Sequence, residues 1–199
     1  MRDIVMIEWK KYKIFKENVS TLKEISKDDS DPKNIQYMTE SMNPAINFDD
    51  VKTQYANNLE LSEEVVSSVD GIFESSECLI FVEFKNGKMQ GEKSKVKDKI
   101  RDSLLMFCDI TGEEIADTRK YAEFILVYNI QKNPMPYQLK KASFQESQSR
   151  VNIAKYLCEK ANSEFIRFGL EKFKKIYFKD VHTFSTEEFE KYLVETTNI

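Results

Sequence analysis

Three charged residues stand among apolar neighbours in the stretch "VDGIFESSECLIFVEFKNGK" (69–88): Asp70, Glu83 and Lys85. Side chains two apart in a strand share a face at about 6.5–7 Å, so Glu83 and Lys85 project together from the apolar run 79–84. Asp70 stands just before Ile72 and Phe73, and a hairpin would carry its carboxylate to Glu83. Two adjacent carboxylates repel each other at a cost of several kcal/mol unless positive charge lies between them. An oxygen-seeking divalent ion supplies that charge, and Mg²⁺ takes one or two protein carboxylates with waters and phosphate oxygens. Lys85 beside it would orient a water or neutralise charge on phosphorus. Each residue also has a plainer reading. Asp70-Gly71 is a common turn signal, and Glu83 and Lys85 would suit the solvated face of an edge strand.

The surrounding elements decide between these readings. Tyr12, Phe15, Val19, Leu22 and Ile25 recur at helical spacing, and "KDDSDPK" stops that helix and offers Asp31 as an N-cap with Pro32 at the first helical position. Asn47 caps a further helix with Phe48, Val51, Tyr55 and Leu59 on one face. The period then shortens: "VVSSV", "GIF" and "LIFVEFK" read as strands, with "ESSE" a hairpin turn. A helix follows, with Val96, Ile100, Leu104 and Phe107 on one face and Gly112 at its end. "YAEFILVYN" is a strand and "NPMPY" a loop. A helix is expected around Val151, Ala154, Leu157 and Ala161, and a last strand in "KIYFKDVHTF". Ser185 and Glu188 have capping-box spacing and open a final helix. The order predicts an α/β protein with a mixed β-sheet flanked by helices.

An Asp, then Glu-x-Lys at the end of an apolar strand that leads into a helix, resembles the PD-(D/E)XK, or restriction-endonuclease-like, nuclease superfamily. "VDG" (69–71) and "FVEFKNG" (81–87) carry the resemblance. It implies a core of helix, three strands, helix and strand, which the order from Phe48 to Asn129 fits, with N-terminal helical and C-terminal extensions. It also implies Asp70 and Glu83 as Mg²⁺ or Mn²⁺ ligands, with the backbone carbonyl of Phe84, and Lys85 as the residue assisting the attacking water. Glu60, Glu63 and Glu64 are candidates for a further carboxylate from the first core helix. Val69 stands where the family's proline would. The tripeptide alone carries no weight, since acid-x-Lys recurs at Glu8-Trp9-Lys10, Asp31-Pro32-Lys33 and Asp50-Val51-Lys52. Only Glu83-Phe84-Lys85 ends a continuous apolar strand with an Asp upstream.

From Lys85 to Arg101 seven basic residues face two acids, and Lys93, Lys97 and Arg101 fall at i, i+4, i+8. With Lys88 they are the expected nucleic-acid contacts, DNA favoured over RNA. A solvated helix face is the alternative. Arg167, Lys172, Lys174, Lys175 and Lys179 interleave with aromatics whose spacing reads as core.

Composition sets the bounds. The 199 residues suggest one domain: a helical extension over 1–46, the nuclease-like core over 47–130, and a helix–strand–helix over 131–199. A net charge of −4 excludes a strongly basic DNA-coating protein, though not an enzyme with one basic groove. Cys78, Cys108 and Cys158 form no CxxC pair, and His182 is the single histidine, so zinc sites and Ser or Cys triads lack their parts. No apolar run is long enough for a membrane span and the start shows no secretory signal, so a cytoplasmic location is expected. The expected activity is Mg²⁺-dependent phosphodiester hydrolysis, by a monomer, a homodimer or a complex with a partner protein. The alternative is a non-catalytic protein of the same fold in a bacterial defence, toxin–immunity or phage-related assembly.

Overall fold

Two seven-residue apolar strands form the centre of the molecule: β6 (Leu79–Lys85) and β7 (Ala122–Tyr128), paired in parallel. Both are covered on each face, which is why neither shows the alternation of a half-exposed strand. The computed structural model describes residues 11–75, 78–134 and 166–197. Before β6 come α1 (Lys13–Glu17), β1 (Val19–Thr21), α2 (Leu22–Ile25), β2 (Lys27–Asp28), β3 (Gln36–Tyr37), β4 (Pro44–Asn47), α3 (Phe48–Asn58) and β5 (Gly71–Glu74). After it come α4 (Lys93–Thr111), α5 (Ile115–Tyr121), β7, β8 (Asp180–Ser185) and a last helix, α6 (Thr186–Thr197). The main sheet runs β1-β4-β5-β6-β7-β8; β1 through β6 pair antiparallel, and β6, β7 and β8 pair parallel. This is a mixed α/β sheet with helices on both faces, as the sequence predicts. No helix among the described residues is long and apolar enough to cross a membrane.

Alternation along β6 sorts its side chains. Leu79 and Phe81 join the cluster built with Phe48, Val51, Val96, Ile100, Leu104 and Phe107 from α3 and α4. Ile80, Val82 and Phe84 join Leu22, Phe189 and Leu193 from α2 and α6. Phe81 meets Phe107 and Phe178 edge-on, each at 5.4 Å between ring centres. Burying each such side chain is worth about 1.5–3 kcal/mol, so the α4 stripe alone fixes that helix firmly on the sheet. Gly112, at φ 73°, ends α4 in the left-handed conformation that favours glycine. Asn47 caps α3 through the Asp49 and Asp50 N–H groups, and Ser185 and Glu188 exchange capping-box bonds at the start of α6.

Four expectations change. The helix read from Tyr12 to Ile25 is two short helices split by β1, because the β-branched Val19 and Thr21 pair with β4 (Val19 with Ile46, Thr21 with Pro44). Residues 11–46 therefore contribute strands as well as helices, and β1 and β4 join the main sheet. Asp31 and Pro32 open no helix; Asp31 accepts the Lys33 N–H in the turn joining β2 to β3. "VVSSV" is not a strand: Glu63–Val65 is a 3-10 turn capped by Ser62. The three strands meant to follow α3 are thus two, β5 and β6, and the strand beside β5 is β4, which precedes the helix. Residues 76 and 77 of the "ESSE" turn, Cys158, the helix around Val151 and most of "NPMPY" lie outside the described residues.

Candidate functional site

Register brings the two acids together. Gly71 pairs with Val82 across the β5–β6 hairpin, which puts Asp70 opposite Glu83. Asp70 lies just before β5; its carbonyl accepts the Phe48 N–H at 3.1 Å, and α4 holds the residues ahead of it. Asp102 accepts the Ser67 N–H at 2.9 Å, and the buried Ser103 hydroxyl accepts the Val69 N–H at 2.8 Å. The Asp70 carboxylate then accepts the Phe84 N–H at 2.6 Å.

The positive charge comes from a residue the sequence reading did not single out. Lys99 of α4 places its Nζ 2.8 and 2.9 Å from the two Glu83 oxygens and 3.2 Å from Asp70 Oδ1. Sharing that nitrogen at 3.2 and 2.8 Å, the oxygens of the two acids are at most 6.0 Å apart. Asp49 of α3, held by the Ser68 hydroxyl, adds negative potential beside them. Burial pushes the Asp70 carboxyl up, against the pull of Lys99. Glu83 is raised further, by burial and by Asp70. For Lys99, burial works downward, but Asp70 and Glu83 outweigh it and hold the ammonium above its usual value. The buried Glu83 and the partly buried Asp70 thus share one cation.

Lys85 shares the face of Glu83, as its spacing requires, but its ammonium pairs with Glu92 at 3.0 Å. Lys85, Phe84 and Asp70 all line a cleft of about 390 Å³. Glu60, Glu63 and Glu64 lie at and beyond the far end of α3, exposed and away from the cleft; Glu63 accepts a hydrogen bond from Thr53. The α3 carboxylate at the cleft is Asp49, from the first turn of the helix. Lys88 and Lys93 are exposed. Lys97 and Arg101 turn toward the C-terminal loop: the Lys97 ammonium is 3.4 Å from where a side chain at Gly169 would begin, and Arg101 lies 5.6 Å from the Phe173 ring centre. The expected basic face is therefore divided, with Lys99 on the opposite flank.

The residues fit a small hard cation. The donors are carboxylate oxygens, two is a number Mg²⁺ accepts, and an ammonium already touches both. Among the described residues no group of three or more His, Cys, Asp or Glu side chains is assembled as metal ligands. Compared with known proteins, the chain matches no family model, no curated protein and no solved structure.

Proposed function

We propose that the protein is a metal-dependent nuclease with a restriction-endonuclease-like core, hydrolysing phosphodiester bonds of DNA or RNA in the cleft beside Asp70. One observation carries this reading: the buried Glu83 of β6 and the partly buried Asp70 just before β5 share a single cation, and Asp70 faces a lysine-bearing cleft. Asp70, Glu83 and the Phe84 carbonyl would hold Mg²⁺ or Mn²⁺, which when bound supplies Lewis acidity at the phosphodiester. Glu92 steadies the Lys85 ammonium at the cleft wall, where it orients the attacking water and offsets charge on the phosphorus. Lys99 draws both carboxylates together and opposes the upward push of burial on their acidities.

The test is cleavage of linear single-stranded DNA and of RNA with Mg²⁺ or Mn²⁺. Wild-type protein is expected to cut; Asp70→Asn and Glu83→Gln abolish cutting, and Lys85→Ala lowers the rate about 10²-fold or more. Full activity of Lys85→Ala would remove Lys85 from the mechanism.

Lys99 itself favours a second reading. An ammonium bonded to three carboxylate oxygens can replace the metal permanently, leaving a non-catalytic member of the same architecture that binds a partner protein. Calorimetry with Mn²⁺ separates the two, since no heat of binding would favour the second.

A further inference from the structure

The cleft has two walls that meet. One is the β2–β3 hairpin, which contributes Lys27, Asp28 and Ser30; the other is the end of β6 and its following loop, from Phe84 to Gly87. Asn86 joins them: its Nδ2 donates to Asp28 Oδ2 at 2.6 Å and to Gln36 Oε1 at 3.0 Å. Asn129 donates to the Asn86 Oδ1 at 2.8 Å, which fixes the amide so that both its N–H groups face the hairpin. The cleft is therefore blind at Asn86. Phe84, bonded to Asp70, lies only two residues back, no more than about 7 Å of chain. The volume, near the low end for single small-molecule sites, matches that short reach. Chemically the cleft is mixed. Ile25 and Met38 are its apolar residues, Lys27, Lys85 and Lys132 its cations, and Asp28, Asp49 and Asp70 its acids.

We propose that this blind cleft receives the terminal nucleotide of a single strand, so that the protein cuts from a free end and does not act on a continuous strand. The inference rests on the nuclease reading and names its substrate: a chain end, its base against Ile25 and Met38 and its phosphate toward Lys27 and Lys132. A strand running through would have to break the Asn86 bonds to the hairpin.

The test uses fluorescently labelled single-stranded DNA of one sequence, linear and covalently circularised, with Ca²⁺, which takes the same oxygen ligands as Mg²⁺. The linear form is expected to bind at least about tenfold more tightly than the circle. That preference shrinks in Asn86→Ala and in Gln36→Ala, whose side chain is exposed and leaves folding intact. With Mg²⁺, linear strands yield mononucleotides and circles resist. Equal affinity for both forms, or circles cut as fast as linear strands, overturns the terminal-nucleotide assignment and leaves the nuclease reading standing. Binding of neither form overturns the terminal-nucleotide assignment, and failure to bind linear RNA as well overturns both.

Discussion

Glu83 and Glu123 are both buried glutamates on central strands, each with a lysine nearby, yet their acidities move in opposite directions. Glu83 is raised because burial adds to the repulsion of Asp70, and Lys99 is divided between the two. Glu123 stands on the other face of the sheet, at the start of β7. There burial also pushes upward, but His182 at 3.4 Å, the Cys78 thiol at 3.0 Å and Lys179 at 3.6 Å outweigh it and leave Glu123 lowered. Cys78 in turn is pushed up to about 11 by burial and by Glu123, so it remains a thiol donor. Burial is therefore not what makes a carboxylate chemically available. The ratio of acids to partners is. Glu123 has three partners of its own, whereas Asp70 and Glu83 divide one ammonium between them.

Lys99→Ala should break the contrast most severely. It strands the buried Glu83 and the partly buried Asp70 and costs about 3–5 kcal/mol at pH 8, read by chemical denaturation. The loss should shrink in acid: a carboxyl raised in the folded state is penalised as pH rises through its folded value, and the penalty vanishes below its unfolded value. An equal loss at pH 5 and pH 8 would show that Lys99 acts by packing alone.

Next in size is the response to divalent ions. Mn²⁺ at about a hundred times its dissociation constant should add about 2.7 kcal/mol to wild-type stability. Glu83→Gln should erase that gain and Glu123→Gln preserve it; a gain that survives Glu83→Gln would place the ion elsewhere. The smallest effect is the comparison of the two glutamine variants without metal. At pH 8, Glu83→Gln should stabilise by about 1 kcal/mol, since it removes the repulsion of Asp70. Glu123→Gln should destabilise by about 1–2 kcal/mol, because a lowered carboxyl contributes above its unfolded value of 4.5 and loses that contribution as pH falls through its folded value. A variant that folds better while losing cleavage is the signature of a site strained for function.

The pairing of Asp70 with Glu83 was legible in the sequence because a hairpin has few registers and the apolar residues of β6 select one. The α4 stripe was legible for a similar reason, since Val96, Ile100, Leu104 and Phe107 leave one way to lay the helix down. Lys99 was not legible. It flanks that stripe on one side as Lys97 flanks it on the other, and helical spacing does not say which flank faces Asp70. The sheet order decides, with β5 on one side of β6 and β7 on the other. Asp49 was hidden for another reason: as a first-turn acid at a capped helix start it has a sufficient local explanation in the helix dipole. The strand β4 escaped because "PAIN" is too short to show a period, and it becomes a strand only through its neighbours β1 and β5.

Gly71 carries a consequence for the shape of the cleft. A methyl group there would run into the Ile25 side chain and stand 3.0 Å from the Ile46 carbonyl oxygen. Ile25 is a cleft residue and the last of α2, two positions before the hairpin begins. The bare backbone at 71 thus acts as a spacer of zero thickness. It lets the α2–hairpin wall seat against the sheet, so the aperture beside Asp70 is gauged by an atom that is missing.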